Sequence, residues 1–154
     1  MMSLCCDVLK ALNGKTLVTA ESCTGGMIGA ALTAVPGSSA VYKGGVICYT
    51  NEIKANVLGV SREVLEQHGA VSKPVAAAMA AGVRKLMAAD VAVSVTGLAG
   101  PGGDEYGNPV GTVFIGYEDK NQSFVEKFLF EGDRETVRNQ TIDAALRIVL
   151  KNNA

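Results

Sequence analysis

Apolar residues recur along this chain in two rhythms, and the alternation between them predicts its elements. Residues 3–13 and 27–35 repeat their apolar positions three and four apart, the spacing of a helix with one buried face. Between them the run Thr16-Leu17-Val18-Thr19-Ala20 is β-branched, apolar and of strand length. The succession then repeats: a strand over 44–50, helical pieces from Glu52 and over 61–67, and a long alanine-rich helix opened by Pro74 and running to about residue 88. Val91-Ala92-Val93-Ser94-Val95 is a continuous apolar run, the pattern of a parallel strand covered on both faces. Strands over 111–118 and 123–130 join through Asp119-Lys120-Asn121-Gln122 as an antiparallel hairpin, and a closing helix starts at Asp133. Strand and helix in alternation, with right-handed crossovers, predict an α/β fold: a three-layer α/β/α sandwich around a mixed, mostly parallel five-stranded sheet.

Polar residues and glycines gather where the strands end. Ala20-Glu21-Ser22-Cys23-Thr24-Gly25-Gly26 leads from the first strand into a helix, and the free N–H groups of that helix would suit an anion or a developing oxyanion. Ser22 or Thr24 reads equally as a plain helix cap, with Gly25 and Gly26 permitting the turn. The second strand ends at Tyr49-Thr50, with Asn51 as the expected cap of the next helix. Lys54 then falls in a first turn, where the macrodipole disfavours a cation. Such a lysine either reaches into solvent or has a depressed pKa and serves as a neutral base. The third strand ends in the glycine-rich loop Thr96-Gly97-Leu98-Ala99-Gly100-Pro101-Gly102-Gly103, at the strand end where open α/β sheets bind ligands. Residues 104–109 continue it as a polar rim or lid. Arg134 and Arg138, four apart at the start of the closing helix, form either an anion grip or ordinary surface charge. The crossovers put Ser22, Tyr49, Lys54 and Thr96 on one rim of the sheet.

Composition narrows the chemistry. A chain of 154 residues, 48% hydrophobic, fits one domain with one core, and no second domain is expected. With 14 basic against 15 acidic residues there is no basic face for nucleic acid. The opening residues lack the regions of a signal peptide, and no apolar run approaches the roughly 18 residues that span a bilayer, so a soluble cytosolic protein without membrane contact is expected. Cys5, Cys6, Cys23 and Cys48 include no Cys-x-x-Cys pair, which makes a metal site improbable. Cys23, beside a helix N-terminus, is either packed or a thiol of lowered pKa. The single histidine, His68, precedes Gly69 at a helix C-terminus and reads as structural. A hydrolase built from this chain would therefore take lysine or tyrosine as its base, not a Ser-His-Asp relay.

Six stretches taken together resemble the competence/damage-inducible CinA C-terminal domain family. They are the segment 20–26, Pro36-Gly37-Ser38-Ser39-Ala40, Tyr49-Thr50-Asn51-Glu52-Ile53-Lys54, His68-Gly69-Ala70-Val71-Ser72, Gly97-Leu98-Ala99-Gly100-Pro101 and Gly132-Asp133-Arg134. The resemblance runs in order from about residue 5 to 150. Stand-alone members look like nicotinamide mononucleotide deamidases, so it implies a cytosolic amidohydrolase that forms nicotinate mononucleotide and ammonia. It also implies no metal or other cofactor, a small nucleotide as substrate, and usually a homodimer. The family's serine falls on Ser39, its tyrosine and lysine on Tyr49 and Lys54, and its substrate contacts on Thr96 and Arg134. The predicted topology puts Ser39 at the opposite rim from Lys54 and Ser22 at the same rim. Either the segment 37–43 turns back, or a neighbouring subunit completes the site, or Ser22 is the nucleophile. In the mechanism so implied, Ser39 attacks the carboxamide carbon, Lys54 or a Tyr49 held by Lys54 takes its proton, N–H groups around Gly25 and Gly26 steady the oxyanion and Arg134 holds the phosphate, with Thr24, Gly97 and Arg138 as further substrate contacts. A non-catalytic module that binds a nucleotide through the same loops, and a purely structural dimerisation domain, are the other readings.

Overall fold

A computed structural model describes residues 1–154. In chain order the elements are α1 (Met2–Ala11), β1 (Leu17–Glu21), α2 (Met27–Thr33), a 3-10 turn (Ser38–Ala40), β2 (Tyr42–Ile47), α3 (Asn51–Asn56), α4 (Arg62–His68), α5 (Lys73–Leu86), β3 (Val91–Gly97), β4 (Thr112–Glu118), β5 (Ser123–Leu129) and α6 (Arg134–Lys151). The strands form one sheet in the order β2-β1-β3-β4-β5. β1 is parallel to β2 and β3, while β4 is antiparallel to β3 and β5, so only β4 runs against the others.

The three layers follow from strand alternation, which sends successive side chains to opposite faces. Val93, Val95 and Ile115 point to one face, where α1, α2 and α6 supply Val8, Leu12, Ile28, Leu32 and Leu146. Val18, Ala20 and Ala92 point to the other and meet Val75, Met79 and Val83 of α5, with Leu58 and Leu65 from the α3–α4 segment. Because both faces are covered, β1 and β3 are buried almost throughout, as their unbroken apolar runs require. The small residues of α5 let it lie close on the sheet. A Cβ on Gly116 would stand 2.6 Å from the Ala76 carbonyl oxygen, which accepts a 2.7 Å hydrogen bond from Ser94 Oγ.

Several boundaries move by a few residues for identifiable reasons. β2 begins at Tyr42 and the chain leaves the sheet after Ile47, so Thr50 and not Asn51 caps α3, its side chain accepting the Ile53 N–H. α2 ends at Thr33, whose hydroxyl turns back to the carbonyls of Gly29 and Ala30. Asp133 caps α6 as expected; Ser61, expected as the first residue of its helix, instead caps α4, and Gly69 stops α4 at φ 78°. No helix is long and apolar enough to cross a membrane.

Candidate active site

The carboxyl ends of β1 and β3, with the segment following β2, enclose a cavity of about 250 Å³ lined by Ser22, Cys23, Tyr49, Lys54, Thr96 and Arg134, among others. Its floor is set by backbone fit. A side chain on Gly97 would strike Val113 at 2.6 Å and the Thr112 carbonyl at 2.9 Å, so only glycine lets β3 end there against β4. Thr96 Oγ1 donates to the Ala70 carbonyl at 2.8 Å and ties the strand end to the segment after α4.

Lys54 is the unusual group. It is 1% exposed and makes no ion pair, yet its Nζ donates to Cys48 O at 2.7 Å, to Ser22 Oγ at 3.0 Å and to Tyr49 O at 3.3 Å. Burial pushes its pKa below the ordinary lysine range, only partly opposed by Cys48 and Cys23. The dipole argument from sequence does not hold: α3 has six residues, and Lys54 belongs equally to its last turn. Desolvation is the cause. When the amine gives up its proton, its two remaining N–H groups can stay on the two carbonyls, and its lone pair then accepts from the Ser22 hydroxyl.

The turn before α2 is organised differently from the sequence expectation. The N–H groups of Ile28 and Gly29 do not face an external anion; they donate to Glu21 at 2.8 and 3.0 Å. Thr24 is fully buried and donates to the same carboxylate at 2.7 Å, and the Gly25 N–H is engaged by Ser22 O at 3.1 Å. Gly26, at φ 100°, is the N-cap of α2. Thr24, Gly25 and Gly26 therefore shape the turn and lie outside the cavity lining. Cys23 does not carry a lowered pKa, because burial pushes its thiol up to about 12. Glu21 was not singled out from sequence, although an acid at the end of a buried strand between Thr19 and Thr24 was the signal for it.

The two arginines part company. Arg134 spans the cavity mouth, donating to Gly100 O at 2.8 Å and to the Tyr49 hydroxyl at 3.0 Å. Arg138 braces the turn through the carbonyls of Cys23 and Thr24, at 2.9 and 3.3 Å, and does not line the cavity. Ser39 stands exposed in the 3-10 turn that precedes β2, at the other end of the sheet. Six strand residues at about 3.3 Å each separate that turn from the rim, about 20 Å, so one chain does not bring Ser39 to Lys54. The segment 37–43 does not turn back. The loop expected as a rim or lid is tied down, with Tyr106 OH donating to Glu66 O at 2.7 Å and Asn108 Nδ2 to Val71 O at 3.1 Å. No three His, Cys, Asp or Glu side chains stand close enough together to hold a metal ion.

Residues 2–152 match the profile of the CinA C-terminal domain. A putative competence-damage inducible protein of Clostridium tetani is 44% identical over 153 residues, covering 95% of this chain and 37% of that protein. A CinA-like protein of Citrifermentans bemidjiense is 50% identical over 134 residues, 87% of this chain and 32% of that one. The chain thus spans about a third of the length of these curated relatives. Among solved structures, the competence damage-inducible protein A (ComA) of Klebsiella pneumoniae superposes with a TM-score of 0.95 at 40% identity, over 97% of this chain and 94% of that one. The competence/damage inducible protein CihA of Agrobacterium tumefaciens does so with a TM-score of 0.95 at 38% identity, over 99% and 95%.

Proposed function

This chain belongs to the CinA C-terminal domain family, and we propose that it is an amidohydrolase that converts nicotinamide mononucleotide to nicotinate mononucleotide and ammonia. The observation that carries the reading is the buried Ser22–Lys54 pair, with 3.0 Å between Oγ and Nζ. Neutral Lys54 takes the hydroxyl proton as Ser22 Oγ bonds to the carboxamide carbon. The resulting ammonium returns a proton to the departing nitrogen, which leaves as ammonia, and water then hydrolyses the acyl-serine. Cys23 follows the nucleophile and lines the cavity, and in this reading its backbone N–H serves as the oxyanion donor. Thr96 and Gly97 border the carboxamide, and Arg134 with Tyr49 at the mouth receives the phosphate. The same reading takes the protein as cytosolic, homodimeric and independent of a metal.

The test is ammonia release from nicotinamide mononucleotide in the presence of a chelator, with Ser22→Ala and Ser39→Ala alongside. Release that survives the chelator and Ser39→Ala but is lost in Ser22→Ala is the expected result. Loss in Ser39→Ala alone transfers the nucleophile to the other end of the sheet, and hence to a neighbouring subunit. Saturable nucleotide binding with no ammonia makes the domain a binding module instead.

A further inference from the structure

Glu21 is the last residue of β1, is 2% exposed and has no cationic partner. A carboxyl group in that position is costly unless its lone pairs are filled, and here four donors fill them. Thr24 Oγ1 and the Ile28 N–H reach Oε1 at 2.7 and 2.8 Å, and the Gly29 N–H and Thr19 Oγ1 reach Oε2 at 3.0 and 3.2 Å. These donors come from the strand before the turn, from the turn itself and from the helix after it. One side chain thus closes the loop that carries Ser22 and Cys23. The main chain completes the frame: Cys48 N–H donates to Glu21 O at 2.9 Å, and the N–H of the next residue, Ser22, donates to Val95 O at 3.0 Å. Cys48 in turn holds Lys54 through its own carbonyl.

We infer that Glu21 is a positioning residue, whose carboxylate clamps both ends of the 22–26 turn and so holds Ser22 Oγ within hydrogen-bond reach of Lys54 Nζ. It lies outside the cavity lining and acts only through the turn. A purely structural role would be met at lower cost by an apolar residue of similar volume, since a buried acid adds desolvation without adding packing. What an apolar side chain does not supply is four directed acceptor sites that set the angle between strand and helix.

This inference rests on the Ser22–Lys54 reading, and its test uses two readouts that separate the two. Glu21→Gln keeps size and shape but offers one oxygen and one amide, leaving two of the four donors without an acceptor. Thr24→Val removes a single donor and preserves the fold if Glu21→Gln does not. A displacement of about 1 Å costs on the order of a hundredfold in rate. Glu21→Gln is therefore expected to lose about that factor in kcat with KM little changed, and Thr24→Val a smaller part of it. Crystal structures of both variants are expected to show the Oγ–Nζ separation lengthened beyond hydrogen-bond distance in the first and less so in the second. An unchanged separation overturns the inference whatever turnover does, and so does a lengthened one with undiminished kcat. If the wild-type protein releases no ammonia from any carboxamide, the reaction reading fails on its own. The separation in the variant structures then still decides whether Glu21 sets the pair.

Discussion

Ser22 and Lys54 offer the sharpest perturbation, because their reading as nucleophile and base makes the two substitutions redundant. With Nζ and Oγ 3.0 Å apart inside a buried pocket, proton transfer is direct and neither group does its work alone. Groups that act as a unit lose about the same factor singly and together. Taking roughly 10³–10⁴ for loss of a positioned base or of its nucleophile, each of Ser22→Ala and Lys54→Met costs about 4–5.5 kcal/mol of transition-state stabilisation. The double variant falls to the same residual rate, so the coupling energy is as large as either single effect. Independent contributions would multiply to 10⁶–10⁸. The assay is the initial rate of ammonia release over the four proteins of the cycle, with thermal unfolding recorded for each. Ser22→Ala removes one hydrogen bond, about 1 kcal/mol, a lowering of roughly 2–4 °C for a chain of this size. Lys54→Met leaves the carbonyls of Cys48 and Tyr49 without a side-chain donor, about 1–3 kcal/mol, against which stands the relief of burying no amine. Additive losses, or a Ser22→Ala variant within tenfold of wild type, would refute the pairing.

Three further outcomes are expected. Because burial lowers the Lys54 pKa and the reaction needs the neutral amine, kcat/KM rises with pH and levels off at a midpoint below the ordinary lysine range. Between that folded-state pKa and the unfolded value near 10.4 the unfolded chain binds the extra proton. Stability therefore climbs with pH through that window and is lowest below it; urea titrations should show the slope in wild type and its loss in Lys54→Met. Thiol labelling at pH 8 should reach only half-buried Cys6 in the folded protein, since Cys23 at about 12, Cys48 at about 11 and buried Cys5 are all raised by burial, and all four should react in denaturant. Fast labelling of Cys23 would contradict its burial. Arg134→Ala removes two hydrogen bonds at the cavity mouth; at about 1.5–3 kcal/mol for a charged contact to phosphate, KM for the nucleotide rises roughly 10- to 100-fold, with no such change for the unphosphorylated nucleoside.

The architecture was legible because each layer has its own rhythm in the sequence. The continuous run 91–95 announced a strand covered on both faces, and the hairpin residues 119–122 announced the antiparallel end of the sheet. The shared rim was legible too, since parallel strands put their carboxyl ends, and with them Ser22, Lys54 and Thr96, on one side. What the sequence did not disclose were the contacts made across it. Thr24 reads the same whether it faces a ligand or a carboxylate three residues earlier, and only the fold shows that Glu21 takes its hydroxyl. Arg134 and Arg138 share a helix face, yet a single turn of α6 separates the cavity mouth from the back of the 22–26 turn. Asn51 and Thr50 are both good caps, and the end of β2 at Ile47 decides between them.

The environment of Lys54 also favours the proposed catalytic reading over that of a module that only binds a nucleotide. A lysine kept to grip a phosphate serves best as a full positive charge facing its ligand, where solvent or an acidic neighbour sustains the ammonium. Lys54 has neither: it is 1% exposed, it has no carboxylate partner, and two backbone carbonyls hold it pointing at a hydroxyl. Each unit by which burial lowers its pKa withdraws about 1.4 kcal/mol from the folded state at neutral pH. That cost brings nothing to anion binding, for which Arg134 already stands at the mouth with a charge that does not titrate. It does bring a base that loses its proton nearer to neutral pH, within hydrogen-bond distance of a serine, in a chain whose only histidine is exposed at the end of α4. A binding module would be more stable with methionine at position 54 and would hold its nucleotide as well, whereas a hydrolase with that substitution would keep the nucleotide and stop turning it over.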